Sequence, residues 1–196
     1  MARIGFYGGC FNPPTKAHIE LAKKALNESN LDKVIFVPVG DLYKKDGMAK
    51  GTDRYNMLQI ACRGKDNLQV SDIEIKANKD YKAIDIFQIL KEEHKDDENF
   101  FIMGTDNLKN IVFWKESKRL ISDFNYIILD RGEVEAKNII ESNGLLRENK
   151  ERFTIINNKE FKECSSTDIR KQMKNAEKPE NLDNRVYNYI RENNIY

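Results

Sequence analysis

The chain has 196 residues, enough for one domain with a sizeable hydrophobic core. Its 33 basic and 32 acidic residues leave a net charge of +1, which argues against a global field built to attract nucleic acid or an anionic membrane. No apolar run approaches the roughly 18 residues of a membrane-spanning helix, and an apolar strand pattern begins directly after Met1 and Ala2, so we expect a cytoplasmic protein without a signal peptide.

The predicted elements alternate between strands and helices. Short apolar runs predict strands, and apolar residues at helical spacing predict helices. Strands are expected at 3–7, 34–38, 68–75, 99–103, 126–129 and 153–156; helices are expected at 17–26, 54–62, 81–90, 114–120, 134–146, 165–173 and 181–193. This alternation predicts an α/β, Rossmann-like, doubly wound and mostly parallel sheet. We expect a single domain over 1–196, with its core at 1–163 and a small C-terminal helical subdomain at 164–196.

The segment after the first predicted strand carries the strongest pattern. Residues 8–18 read Gly-Gly-Cys-Phe-Asn-Pro-Pro-Thr-Lys-Ala-His. Glycines let backbone N–H groups approach a ligand closely, and the start of a helix attracts phosphate. Thr15 and His18 would share one helix face, where they could stabilise charge that develops during phosphoryl or nucleotidyl transfer. The pattern matches neither the P-loop nor the Gly-x-Gly-x-x-Gly motif.

A second turn, Gly104-Thr105-Asp106, follows the strand predicted at 99–103. Ligands of open α/β sheets lie beyond the carboxyl ends of the strands, so this turn and the glycine turn should flank one crevice. The simpler interpretation of Asp106 is a helix cap.

Residues 164–170 read Cys-Ser-Ser-Thr-Asp-Ile-Arg and open a predicted helix. Serine and threonine cap free helical N–H groups, and an ordinary capped surface helix would need no more than this. Arg170, however, lies on the same side of the predicted helix as the serines, one turn after them. A guanidinium there can bind phosphate in a bidentate manner.

Together these segments resemble the nucleotidyltransferase superfamily, whose motif is His/Thr-x-Gly-His after a first strand. Within it they resemble the nicotinate-nucleotide adenylyltransferase family, which also carries Ser-Ser-Thr-x-Ile-Arg and a C-terminal Val-x-x-Tyr-Ile…Leu-Tyr, similar to 186–190 with Ile195 and Tyr196. The sequence departs from the family at Ala17, where glycine is usual, and at 82–85, where Lys-Ala-Ile-Asp replaces Tyr-Thr-Ile-Asp.

The resemblance implies transfer of AMP from ATP to nicotinate mononucleotide, giving deamido-NAD and pyrophosphate in NAD biosynthesis. It implies Mg²⁺ bound with ATP, no all-protein metal site, no nucleic-acid or membrane partner, and it leaves a homodimer open. Two alternatives stay open because of the departures from the family pattern. One is an adenylyltransferase acting on nicotinamide mononucleotide or phosphopantetheine, and the other is a nucleotide-binding or sensing protein without turnover.

The resemblance also implies roles for individual residues. The catalytic set would be His18, Thr15 and Arg170. The ATP-binding set would be Gly8, Gly9, Cys10, Phe11, His18, Asp106, Ser165, Ser166 and Arg170. The acceptor-binding set would be Lys44, Lys45, Lys82, Ala83 and Trp114. Arg131 would close the ATP side, and Arg54 is either a pocket residue or a structural one.

The three cysteines, Cys10, Cys62 and Cys164, are widely separated and match neither a disulfide framework nor a zinc site. We expect reduced thiols, with Cys10 as a small space-filling residue.

Overall fold

The computed structural model describes residues 1–43, 45–77, 79–130, 135–158 and 165–196. Across these ranges it contains a six-stranded sheet in the order β3-β2-β1-β4-β5-β6. Every neighbouring pair of strands is parallel. The strands are β1 (Arg3–Gly9), β2 (Lys33–Pro38), β3 (Leu68–Val70), β4 (Glu98–Gly104), β5 (Asn125–Asp130) and β6 (Phe153–Asn157). This order is that of a doubly wound Rossmann sheet, so the predicted fold class is confirmed.

Helices connect the strands and cover both faces of the sheet. They are α1 (Lys16–Glu28), α2 (Gly51–Cys62), α3 (Ile73–Lys76), α4 (Ala83–Glu93), α5 (Thr105–Asn110), α6 (Ser117–Asp123), α7 (Glu135–Ser142), α8 (Gly144–Glu148), α9 (Ser166–Lys174) and α10 (Asn184–Glu192). Short 3₁₀ turns occupy Ile111–Phe113 and Lys150–Arg152. In the described ranges no helix is both long enough and apolar enough to cross a membrane.

Two hydrophobic clusters lie on opposite faces of the sheet. Neighbouring strand residues point to opposite faces, so Tyr7 enters one cluster while Phe6 enters the other. Because both faces are buried, the strands read as nearly continuous apolar runs. Helices α9 and α10 bury Ile169 and Val186 in the same cluster as α1 and α2. The C-terminal helices therefore share the core on one face of the sheet with α1 and α2, while the division at residue 163 stays a prediction.

The predicted strand at 68–75 is wrong beyond Val70. The alternation of apolar residues continues, but Ser71 makes the last ladder-like bond, to the Phe36 carbonyl, at 2.9 Å. The next residues form the single-turn helix α3, which the Asp72–Lys76 ion pair closes at 2.7 Å. After β3, the edge strand of the sheet, the alternation of apolar residues continues through one helical turn and not through further strand pairing.

The described helices differ from their predicted bounds by one to three residues at an end, and two of the differences have a local cause or consequence. The one predicted at 114–120 begins at Ser117, and α5 follows β4 directly. The one predicted at 134–146 is divided, because the Asn143 side chain accepts the N–H groups of Leu145 and Leu146 and caps a new helix.

Candidate active site

The glycine turn follows the carboxyl end of β1, which lies between β2 and β4 in the sheet. A side chain placed on Gly8 would meet no atom within 4 Å, so the backbone there faces open space. Phe11 has a left-handed backbone with φ of 47°, and its ring is buried against Tyr7, His18 and Phe36. The buried ring fixes the shape of the turn, and left-handed backbone at a bulky residue is often found at functional sites.

Thr15 and His18 form a capping box at the start of α1. The Thr15 hydroxyl oxygen accepts the backbone N–H of His18 at 3.3 Å. The Thr15 backbone N–H in turn donates to Nδ1 of His18 at 2.9 Å, and the Thr15 hydroxyl lies 2.9 Å from the same atom. Because Nδ1 accepts a backbone N–H, the proton of the neutral ring is assigned to Nε2. The cap therefore fixes both the orientation and the tautomer of His18.

Helix α9 contacts the glycine turn directly. Ser165 caps the helix by accepting the Asp168 N–H at 3.1 Å. Ser166 Oγ donates to the Pro13 carbonyl at 2.9 Å, and Arg170 Nη1 donates to the Asn12 carbonyl at 2.8 Å. These two bonds bring residues that the family resemblance assigns to one ATP-binding set into contact, while their ATP-binding roles stay predictions.

The charge of Arg170 is not neutralised within the described residues. Its other bond there is from Nη2 to Thr167 Oγ1 at 3.3 Å, and no described carboxylate lies within ion-pair distance. A partly exposed guanidinium held by neutral acceptors keeps donors and charge for an anionic ligand.

Arg54 holds the segment between β2 and α2 against the glycine turn. Its side chain is fully buried, and it donates to the carbonyls of Cys10, Val39 and Ala49 at 3.1, 2.6 and 2.9 Å. The sequence alone leaves Arg54 undecided between a pocket residue and a structural one, and these contacts give it a structural role in the described site. No motif points to this role, because its partners are carbonyls of irregular segments.

Asn12 is a second residue that holds the site together, and no motif assigns it a role. Its side chain is 4% exposed and bonds to Gly47, Ala49 and Tyr196. The Asn-Pro dipeptide in the turn was a visible signal, but the three partners lie far along the chain.

Asp106 occupies the first turn of α5, directly beyond the carboxyl end of β4. Its carboxylate is exposed, and β4 pairs with β1. The two turns therefore leave neighbouring strands at the same edge, as predicted. Trp114 follows α5 and packs, partly buried, against the apolar cluster on the other face of the sheet from α1.

The residues predicted for the acceptor are spread over three segments, of which that of Trp114 is one. Lys82 Nζ donates to Asp80 Oδ2 at 2.5 Å at the start of α4, and Ala83 is the first residue of that helix. Lys45 is exposed in an open cleft of about 400 Å³ between β2 and α2. Their acceptor roles stay predictions. Lys44, Arg131 and Cys164 lie outside the described residues.

The described cysteines differ in environment. Burial raises the pKa of the Cys62 thiol to about 11, which makes a thiolate rare at neutral pH. Cys10 is partly exposed in the glycine turn, where its carbonyl accepts a bond from Arg54. Within the described ranges no group of three or more His, Cys, Asp or Glu side chains could hold a metal ion.

Comparison with known proteins gives a consistent family. Residues 6–172 match the cytidylyltransferase-like family model. The chain is 33% identical over 177 residues to a probable nicotinate-nucleotide adenylyltransferase of Fusobacterium nucleatum, covering 89% of each protein. It is 32% identical over 203 residues to one from Clostridium botulinum, covering 100% of this chain and 98% of the relative.

Solved structures share the fold. The nicotinic acid mononucleotide adenylyltransferase of Plasmodium falciparum, complexed with APC, superposes with a TM-score of 0.81 at 22% identity, covering 100% of this chain and 98% of that one. The same enzyme complexed with NaAD gives a TM-score of 0.79. With the motifs, the sheet order and the two relatives in agreement, the chain belongs to the nicotinate-nucleotide adenylyltransferase family of cytidylyltransferase-like nucleotidyltransferases.

Proposed function

We propose that the chain transfers the adenylyl group of ATP to nicotinate mononucleotide, releasing pyrophosphate and forming deamido-NAD. The observation that carries this proposal is the direct contact of α9 with the glycine turn, through Ser166 and Arg170. This contact brings the two family motifs, far apart in sequence, to one end of β1. The names of the relatives support nicotinate mononucleotide as the acceptor.

The reaction is an in-line displacement at the α-phosphorus of ATP. A phosphate oxygen of the mononucleotide forms the new bond, and the bond from the α-phosphorus to the bridging oxygen of pyrophosphate breaks. The acceptor phosphate is ionised at neutral pH, so no protein nucleophile or general base is needed. The protein contributes positioning and stabilisation of developing charge.

Each site residue has a task in this scheme. His18, with Nε2 as the donor atom, hydrogen-bonds the α-phosphate as its charge develops, and Thr15 holds the ring in place. Arg170, with Ser165 and Ser166, holds the departing pyrophosphate. Asp106 accepts hydrogen bonds from a ribose at the end of β4.

Mg²⁺ enters this scheme as part of the substrate, bound to the triphosphate. Magnesium keeps several waters and is commonly held by substrate phosphates together with few protein ligands. The arginine and serine donors on α9 suit phosphate oxygens, which fits an ion carried by the nucleotide.

Pyrophosphate release from ATP tests the proposal. Nicotinate mononucleotide, nicotinamide mononucleotide and phosphopantetheine are supplied in parallel under identical conditions. We expect nicotinate mononucleotide to give the highest kcat/KM. A preference for another acceptor would retain the transfer chemistry and change the substrate, whereas ATP binding without pyrophosphate release from any acceptor would favour a sensing protein.

A further inference from the structure

The segment after α10 ends on a hydrogen bond in the active-site turn. The Tyr196 hydroxyl lies 2.5 Å from Oδ1 of Asn12, 184 residues earlier in the chain. The backbone carbonyl of Asn12 also accepts the hydrogen bond from Arg170 Nη1. The side chain of Asn12 thus contacts Tyr196, and its backbone carbonyl contacts Arg170, the residue proposed to hold pyrophosphate.

The direction of the tyrosine bond follows from the other contacts of Asn12. Its Nδ2 donates to the Gly47 carbonyl at 3.0 Å, and its Oδ1 accepts the Ala49 N–H at 2.9 Å. Turning the amide over would set N–H against N–H and carbonyl against carbonyl, so these two contacts fix its orientation. Oδ1 is therefore an acceptor, and the Tyr196 hydroxyl donates to it.

Burial favours the same direction of the bond. Tyr196 is partly buried, and its burial raises the pKa of the phenol above its ordinary value, while Arg170 and Arg54 act in the opposite direction. The phenol therefore stays protonated throughout the neutral range and keeps its donor. The buried Asn12 amide has little access to water that could replace this donor.

We propose that Tyr196 is a positioning residue for adenylyl transfer: its hydroxyl fixes Asn12, and Asn12 fixes Arg170. The proposal rests on the proposed function, because Arg170 is taken to hold the pyrophosphate that leaves ATP. Tyr196 touches neither substrate in this scheme. It acts by limiting the positions open to the Asn12 carbonyl, and so to the guanidinium that donates to it.

Tyr189, on α10 just before the segment that carries Tyr196, provides a matched control. Its hydroxyl donates to Asp53 Oδ1 at 3.0 Å and accepts a bond from Asn56 Nδ2 at 2.9 Å. It therefore ties α10 to α2 by hydrogen bonds of similar kind, and among the described residues none of these bonds goes to Asn12. A purely structural contribution of a C-terminal tyrosine should be seen in both residues.

The test compares Y196F and Y189F by steady-state kinetics and by ATP affinity. Loss of a neutral hydrogen bond amounts to about 3- to 10-fold, and we expect Y196F to lower kcat/KM for ATP by about this factor while leaving KM for the acceptor within roughly twofold. Y189F should keep the kinetics of the wild-type protein. Thermal unfolding of both variants checks that the difference between their kcat/KM values is not caused by a difference in their stability.

Coupling to Arg170 distinguishes positioning from a general structural effect. If Tyr196 acts through Arg170, Y196F should cause little further loss of kcat/KM in an R170A background. Equal effects of Y196F and Y189F, or full additivity with R170A, would overturn the proposal.

Failure of the proposed function gives a different result. If the wild-type protein binds ATP but adenylates no acceptor, the proposed function is wrong, and the ATP affinities of Y196F and Y189F still test Tyr196. In that case equal ATP affinities overturn the positioning of Arg170 by Tyr196, and a selective loss of affinity in Y196F supports that positioning at bound ATP, without transfer. Absence of ATP binding would overturn both.

Discussion

The imidazole of His18 reaches the site with its tautomer set by the backbone. Nδ1 accepts the Thr15 N–H, so the ring proton lies on Nε2, and the ring packs edge-on against Phe11 at 5.1 Å between centroids. In the proposed reaction this arrangement would need no reorganisation as charge develops on the α-phosphate, which is the condition for effective electrostatic stabilisation.

Replacement of His18 by alanine should therefore lower kcat by about 100-fold or more, as loss of one preorganised donor does. His94 is the other of the chain's two histidines. It packs against Phe6 at the far end of α4, so H94A should stay close to wild type in the same pyrophosphate-release assay. Equal rates for H18A and wild type would remove His18 from the mechanism.

Ala17, at the position where the family usually has glycine, lies in regular helix. It is the second residue of α1, its side chain is 5% exposed, and its φ is not positive. The backbone at this position therefore needs no glycine.

We expect A17G to lose roughly 1 kcal/mol of stability, because glycine is a poor helix former, and to keep the wild-type kcat. A22G, at a buried position in the middle of α1, should lose stability to a comparable extent and serves as the control for urea unfolding. A faster A17G enzyme would show instead that the alanine methyl crowds the bound phosphate.

The motif residues and the organising residues differ in how far sequence reveals them. Thr15, His18 and Arg170 stand in short local patterns, so a phosphate-binding role could be proposed for them from the sequence. Arg54 and Asn12 act through carbonyl and amide groups of distant irregular segments. Such contacts exist only after the chain has folded, and no local spacing records them.

Among the elements, the interior strands were predictable because burial on both faces leaves a continuous apolar run. The one-turn helix α3 was not, since Ile73 and Ile75 continue the alternation of β3. Its position matters for the site: Glu74 on α3 accepts the Gly40 N–H at 3.3 Å, just before the segment that Arg54 secures.

Glu74 should make stability depend on pH. Burial raises the pKa of its carboxyl to about 7 in the folded chain, against the lowering effects of the Gly40 N–H and Arg54. Because the folded pKa exceeds the unfolded value near 4.5, its contribution to stability is present below about pH 4.5 and is lost as the pH rises through about 7.

An E74Q variant should therefore be more stable than wild type at pH 8, by up to about 3 kcal/mol and by less where water reaches the carboxyl. The gain should shrink as the pH falls toward 4.5. E92Q, at an exposed position on α4, controls for the loss of one negative charge. A gain that is independent of pH would contradict an ionisation effect at Glu74.

Across the whole molecule, the order of the strands determines where the site forms. β1 and β4 lie side by side at the centre of the sheet, so the glycine turn and the Gly104 turn leave the same edge. The alternation of strands and helices was enough to predict this edge. The contribution of α9 needed the family motif as well, because its bond to Asn12 joins residues 158 positions apart.

The contact between α9 and the glycine turn predicts that ATP stabilises the folded chain through Arg170. At about 100 times its Kd, ATP should add about 2.7 kcal/mol, or roughly 5–10 °C in Tm for a chain of this length. Removing the guanidinium in R170A should weaken ATP binding by about tenfold or more, which at the same ATP concentration leaves about half of the stabilisation or less.

K171A is the control, because it removes a neighbouring exposed cation whose partner is Asp168. It should keep the full Tm shift. Differential scanning fluorimetry with and without ATP measures both variants, and an equal shift in R170A and K171A would mean that ATP binds away from the contact between α9 and the glycine turn.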